Sequence, residues 1–238
     1  MPRVVFGSRS ADDDGDAPLN ESAAAIEFIR ANTQLRPVPY LPEIMLHLAD
    51  GFLPLWQRTE DELSKIGLPP PFWAFAWAGG QAIARHILDN PALVAGKSVL
   101  DLGSGSGLAA IAAAKAGAAN IVAAEIDPFA GHAIVLNAQA NGVHVEVTSE
   151  NLIAASVPAP SRCDVLLVGD MFYEGGTAAY AIDFLNRSHI TGARVLIGDP
   201  GRAYLPKDRL LQVAEYHIPV TRELEDKEIL HTIVWTLR

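Results

Sequence analysis

The stretch "GDMFYE", residues 169–174, follows the apolar run "CDVLLV" and gathers a carboxylate, two aromatics and a second carboxylate where a buried strand should end. Asp170 there can bind a cation and orient the hydrogens of an amine, unless it serves as a helix N-cap. Tyr173 can add a hydrogen bond, and Glu174 adds negative charge. Phe172, Trp73 and Trp77 offer π faces for a cation, although Phe172 reads equally as core packing. "GDPGR", residues 198–202, follows another apolar run, so Asp199 is expected to meet substrate at the same mouth. Arg202 has two readings, an ion pair with an acid or a substrate contact. Such a set suits the handling of a basic amine. An alkylammonium has no lone pair, and at pH 7 a neutral alkylamine costs roughly 4.6 kcal/mol to reach from a reference pKa near 10.4. Desolvation and alignment by a pocket address that cost. A carboxylate is a weak base for so basic a group, so the released proton is expected to pass to water.

A second constellation sets the cofactor. "VLDLGSGSG" runs from a strand into a helix, and Gly103, Gly105 and Gly107 are expected to line its ligand-facing turn. A dinucleotide fingerprint would place its third glycine at position 108, which is Leu108. Asp101, directly before the loop, would oppose a pyrophosphate and attract an ammonium. S-adenosylmethionine carries an ammonium and no phosphate, so the loop is expected to hold it rather than NAD. Glu125 lies 22 positions beyond Gly103, at the next strand's end. It is placed to accept hydrogen bonds from both ribose hydroxyls; the alternative is an ordinary surface acid. Asp127 should cap the helix opening at Pro128. Glu150 and Asn151 follow the third strand, where such folds contact adenine. Asn151 joins the expected cofactor set, with the choice between the two open.

The elements that must position these groups are legible in the texture of the chain. From Ser98 onward "SVLDL", "NIVAAE", "HVEVT", "DVLLVG" and "RVLIGD" alternate with segments of helical spacing, which means βαβ units and a mostly parallel sheet. "EYHIPVTRE" and "ILHTIVWTLR" add an antiparallel C-terminal hairpin, giving seven strands in a Rossmann-like α/β core over 96–238. Residues 21–95 read as a mainly helical extension packed on that core. Asn20 caps its first helix, "TEDE" at 59–62 forms a capping box, and prolines punctuate the rest. Residues 1–20, with their acidic DDDGD, read as a mobile, solvated arm; they lack a signal peptide's apolar core and an Arg-rich transit signal.

The 238 residues carry a net charge of -10, which disfavours a nucleic-acid partner and favours neutral or basic substrates. No apolar run approaches a membrane span. Cys163, the lone cysteine, cannot form an intramolecular disulfide, so a reducing, cytoplasmic setting is expected. His and Cys show no metal-ligand spacing, and no metal is assigned.

"DLGSGSG", "GDMFYE" and "LIGDPGR", with "PFWAFAWAGGQA" upstream, resemble the seven-β-strand protein lysine methyltransferases, and most closely those acting on the β subunit of electron transfer flavoprotein. The similarity runs from about Pro69 to the C-terminus. It implies a class I methyltransferase fold, S-adenosylmethionine as cofactor and that flavoprotein subunit as partner. It places the family's Asp-x-x-Tyr, which lines the methyl-transfer site, on Asp170 and Tyr173, and its cofactor-bordering tryptophan on Trp77. The acidic arm suggests a bacterial rather than a mitochondrial member. Two other functions remain open on the residues: methylation of another protein or a small amine, and a non-catalytic cofactor-binding module.

Overall fold

The structure, a computed structural model, describes residues 17–49, 70–154, 163–220, 225 and 227–238, without the side chains of 17–21. Most of the expected arm and the 59–62 capping box lie outside the described residues. A helix α1 (Ala17–Asn32) leads into a hairpin of β1 (Gln34–Val38) and β2 (Leu41–Leu48), followed by α2 (Ala78–Asp89). The core then runs β3 (Ser98–Leu102), α3 (Leu108–Lys115), β4 (Asn120–Ala124), α4 (Pro128–Ala140) and β5 (Glu146–Thr148). It continues through β6 (Val165–Gly169), α5 (Gly175–Ile190) and β7 (Arg194–Asp199) to β8 (Leu210–Pro219) and β9 (Ile229–Leu237).

The seven-stranded sheet has the order β5-β4-β3-β6-β7-β9-β8. Strands β3 to β7 pair in parallel, β9 runs antiparallel to β7, and β8 pairs antiparallel with β9 at the edge. The five parallel strands and the terminal hairpin therefore form as the sequence predicts. Their side chains alternate between two apolar layers. Val99, Val165, Leu167 and Leu196 face α2 and α3. Leu100, Leu166, Val168 and Ile197 face Phe184 and Leu185 of α5. Ligands in such sheets bind beyond the carboxyl ends of the strands, where the order reverses between β3 and β6.

The N-terminal third corrects the helical expectation. α1 begins at Ala17, so Asn20 lies inside the helix rather than capping it, and 34–48 form an antiparallel hairpin. Pro37, Pro39 and Pro42 obscure its period-two pattern in the sequence. A two-stranded ribbon tolerates them because each strand has a free edge. Ile44, Leu46 and Leu48 of β2 alternate inward and join the same apolar cluster as α2 and α3. Two side-chain amides, one in α4 and one at its C-cap, anchor the hairpin. Asn141 accepts from the Met45 N–H at 3.0 Å and donates to its carbonyl at 2.6 Å. Asn137 accepts from the His47 N–H at 2.7 Å and donates to the Ser106 carbonyl at 2.8 Å. The hairpin is thus linked through a fully buried amide to the glycine loop.

Candidate active site

Above the carboxyl ends of β3, β4 and β6 lies a cavity of about 1140 Å3. Small-molecule sites commonly occupy roughly 300–1,000 Å3, so there is room for a cofactor and the end of a second substrate. Its charged lining among the described residues consists of Glu125, Asp127, Glu150, Asp170, Glu174 and one cation, Arg202. Such a wall repels phosphates and favours cationic ligands.

The glycine loop forms one side. Gly103 and Gly105 take left-handed φ values of 64° and 54°, which a side chain at either position would resist. Both line the cavity, and a Cβ added at Gly105 would enter open space. Glu125 supports the loop from the end of β4, accepting from the N–H of Gly105 at 2.9 Å and of Asp127 at 3.1 Å. Asp127 caps α4 as expected, accepting from the Phe129 N–H at 2.8 Å, and burial pushes its carboxyl up to about 6. Glu150 and Asn151 both border the cavity and are exposed.

Two expected cofactor residues sit beneath this wall rather than on it. Asp101 is 3% exposed and accepts from the Ser104 hydroxyl at 2.5 Å and the Ala110 N–H at 3.1 Å. Its carboxylate fastens the loop to the start of α3 and does not line the cavity. Burial pushes it up to about 7 despite those two hydrogen bonds. Gly107 packs toward Ile134 and serves as the N-cap position of α3.

The other side is built where α2 meets the ends of β6 and β7. Asp170 follows β6 in the left-handed region, with φ 53°. Its Oδ2 accepts from the N–H groups of Gly79 and Gly80, at 2.5 and 3.2 Å, and its Oδ1 accepts from Arg202 at 2.9 Å. The N-cap alternative thus holds in part, but across space, at α2 rather than at α5. This approach depends on absent side chains: a Cβ on Gly79 would run into the Gly198 carbonyl, and one on Gly198 into that of Gly79. Burial raises Asp170 to about 6, against the opposing pull of Arg202. Its side chain remains 12% exposed and borders the cavity.

Tyr173 is 53% exposed and stands 6.0 Å from the Phe72 ring, which is 6.0 Å from Trp77. Trp77 donates to the Phe72 carbonyl at 2.8 Å and lines the cavity. Glu174, at the N-cap position of α5, accepts from the Thr177 hydroxyl at 3.0 Å. Two further expectations are corrected here. Phe172 is fully buried among Leu166, Val168 and Phe184, so it forms core and not a substrate wall. Asp199 is fully buried too, and its Oδ1 accepts from the N–H groups of Gly201 and Arg202 at 2.6 and 2.7 Å. It shapes the "DPGR" turn and does not reach the mouth. Phe72, in the aromatic stretch "PFWAFAW", supplies the exposed face that Phe172 does not. Its neighbours Tyr173 and Trp77 were the available signal. Tyr180 and Ile126 also line the cavity without any motif to single them out.

The sheet order and the left-handed glycine loop are those of the class I methyltransferase fold. Residues 85–168 match the ribosomal protein L11 methyltransferase (PrmA) family. The electron transfer flavoprotein β-subunit lysine methyltransferase of Mus musculus is 39% identical over 215 residues, spanning 87% of this chain and 82% of that protein. The Homo sapiens protein of that name is 37% identical, spanning 87% and 80%. A crystal structure from Thermoplasma acidophilum shares the fold, with TM-score 0.51 at 19% identity over 67% of this chain and 87% of the other. The chain belongs to the electron transfer flavoprotein β-subunit lysine methyltransferase family.

Proposed function

We propose that this enzyme methylates lysine side chains on the β subunit of electron transfer flavoprotein. The observation that carries the reading is the cavity wall, five carboxylates against one already paired arginine, joined to aromatic faces at Phe72, Tyr173 and Trp77. S-adenosylmethionine supplies an electrophilic sulfonium methyl; its fit rests on the open face at Gly105 and the carboxylate of Glu125 beside it.

The chain's own residues would then act as follows. Gly103 and Gly105 give backbone room for the cofactor, Glu125 accepts from its ribose, and Asn151 or Glu150 meets its adenine. Trp77 and Phe72, which line the cavity, would offer π faces to the cofactor's sulfonium. Asp170, fixed at three points, would accept a hydrogen bond from the incoming amine and so orient its lone pair toward the cofactor. Tyr173 stands at the entrance with its hydroxyl available. The ammonium proton passes to water before transfer. The methyl would then pass from sulfur to nitrogen, a C–N bond forming as the C–S bond breaks.

Methylation of a ribosomal-type protein is a second reading, raised by the name of the matching PrmA family. That match ends at residue 168, just before Asp170 and Tyr173, so it speaks for the cofactor half and not for the acceptor. Methyl-labelled cofactor incubated with a whole-cell lysate separates the readings. One labelled band at the flavoprotein subunit supports the first, and a ribosomal band the second. Cofactor binding without any transfer contradicts both.

A further inference from the structure

We infer that Arg202 is a positioning residue for methyl transfer, acting through Asp170 to keep the acceptor lysine in its neutral form. The inference rests on the lysine-methyltransferase reading and extends it to a residue outside the family's Asp-x-x-Tyr. Arg202 Nη2 lies 2.9 Å from Asp170 Oδ1, while Nη1 and Nη2 reach the two oxygens of Glu225 at 2.9 and 2.5 Å. Its guanidinium lies 5.9 Å from the centre of the Trp77 ring. The three side chains are 21%, 12% and 9% exposed in the order Arg202, Asp170, Glu225. This geometry sets a fixed cation beside the two features that would otherwise capture an ammonium, the Asp170 carboxylate and one face of Trp77.

The consequence for the acceptor follows from charge. A bare buried carboxylate would hold lysine as a salt bridge and raise its pKa, opposing the deprotonation that methyl transfer requires. With Arg202 in place, Asp170 and Glu225 share one positive charge, so the incoming nitrogen meets a less negative group beside a fixed cation. Oδ2 is taken by the two α2 amides, so Oδ1 keeps one acceptor direction for an N–H of the amine. The other charged groups facing this pair are Glu225, Asp199 at the end of β7 and, through Asp199, Lys207. Glu125 and Glu174 lie on the cavity wall. From α2 the contacts are the amides of Gly79 and Gly80. Among these groups, Arg202 is the cation bonded to Asp170.

The test is the pH dependence of the rate at saturating cofactor, measured from pH 6 to 10 on the flavoprotein subunit. Removing the charge in Arg202→Met should shift the low-pH limb upward by at least about one unit, the size of effect a neighbouring charge produces. Glu225→Gln, which leaves the arginine charge less balanced, should shift it downward. Arg202→Lys keeps the charge, so its limb should stay near that of wild type even if the rate falls. Cofactor affinity by calorimetry should stay within a few-fold in all three, and a generally damaged fold would not move the limb in opposite directions. A limb that stays in place in both Arg202→Met and Glu225→Gln overturns the inference alone. Wild-type enzyme that transfers no methyl to lysine overturns the parent reading with it.

Discussion

Asp170 is where the chemistry and the architecture meet. Among the described residues it has the one non-glycine backbone in the left-handed region, a conformation that aspartate tolerates better than most residues and that clusters at functional sites. Its carboxylate holds the start of α2 with one oxygen and faces Arg202 with the other. Asp170→Asn preserves an oxygen for the α2 amides but removes the charge, so the fold should persist. Methyl transfer in single-turnover assays should fall at least about 100-fold, the lower end for a positioned acid–base group. Cofactor affinity should stay within a few-fold. Retention of more than about a tenth of the activity would contradict the assignment. Glu125 predicts the opposite division of effects. Glu125→Ala removes a charged acceptor and the partner of the Gly105 N–H, so calorimetry should show cofactor binding weakened by roughly 1.5–3 kcal/mol. Unchanged affinity removes Glu125 from the site.

At the scale of elements, the site exists because α2 rests its first turn directly on the ends of β6 and β7. Gly79, Gly169 and Gly198 allow that contact, with Gly169 and Gly198 paired in the sheet register. Gly198→Ala should lower stability by about 1–3 kcal/mol through overpacking. It should also weaken Asp170's grip on α2, so the loss of methyl transfer should exceed the loss of cofactor binding. Equal losses in denaturation and both assays would place this contact outside the site. None of it was legible beforehand, since "WAGGQA" reads only as the start of a helix. The parallel strands were legible because each is a short apolar run bounded by turn residues. The glycine loop and Glu125 were legible because they sit at strand ends. Phe172 was misplaced because the turn after β6 decides which way its side chain points. Asp101 and Asp199 instead lie within β3 and β7 and bend their carboxylates back onto the hydroxyl and N–H groups of the segments that follow. The 34–48 hairpin was missed because prolines masked its alternation, and because its anchors, Asn137 and Asn141, come from a helix some 90 residues on.

For the whole molecule, the net charge of -10 and the acidic cavity favour encounter with a basic protein surface. Added salt should therefore slow methylation by raising KM, because exposed charges are screened beyond about 8–10 Å. The rate at saturating substrate should change little. Among the described residues no helix is long and apolar enough to cross a membrane. Cys163 is a free thiol, partly buried before β6. The central claim is the pairing of this site with its protein substrate. Mass spectrometry of the flavoprotein β subunit from the same organism, incubated with S-adenosylmethionine and the enzyme, tests it most directly. Mass increases of 14 Da per transferred methyl, confined to lysines and absent with Asp170→Asn, are predicted. Unmodified lysines on that subunit, alongside efficient labelling of another protein by the same preparation, would contradict the account.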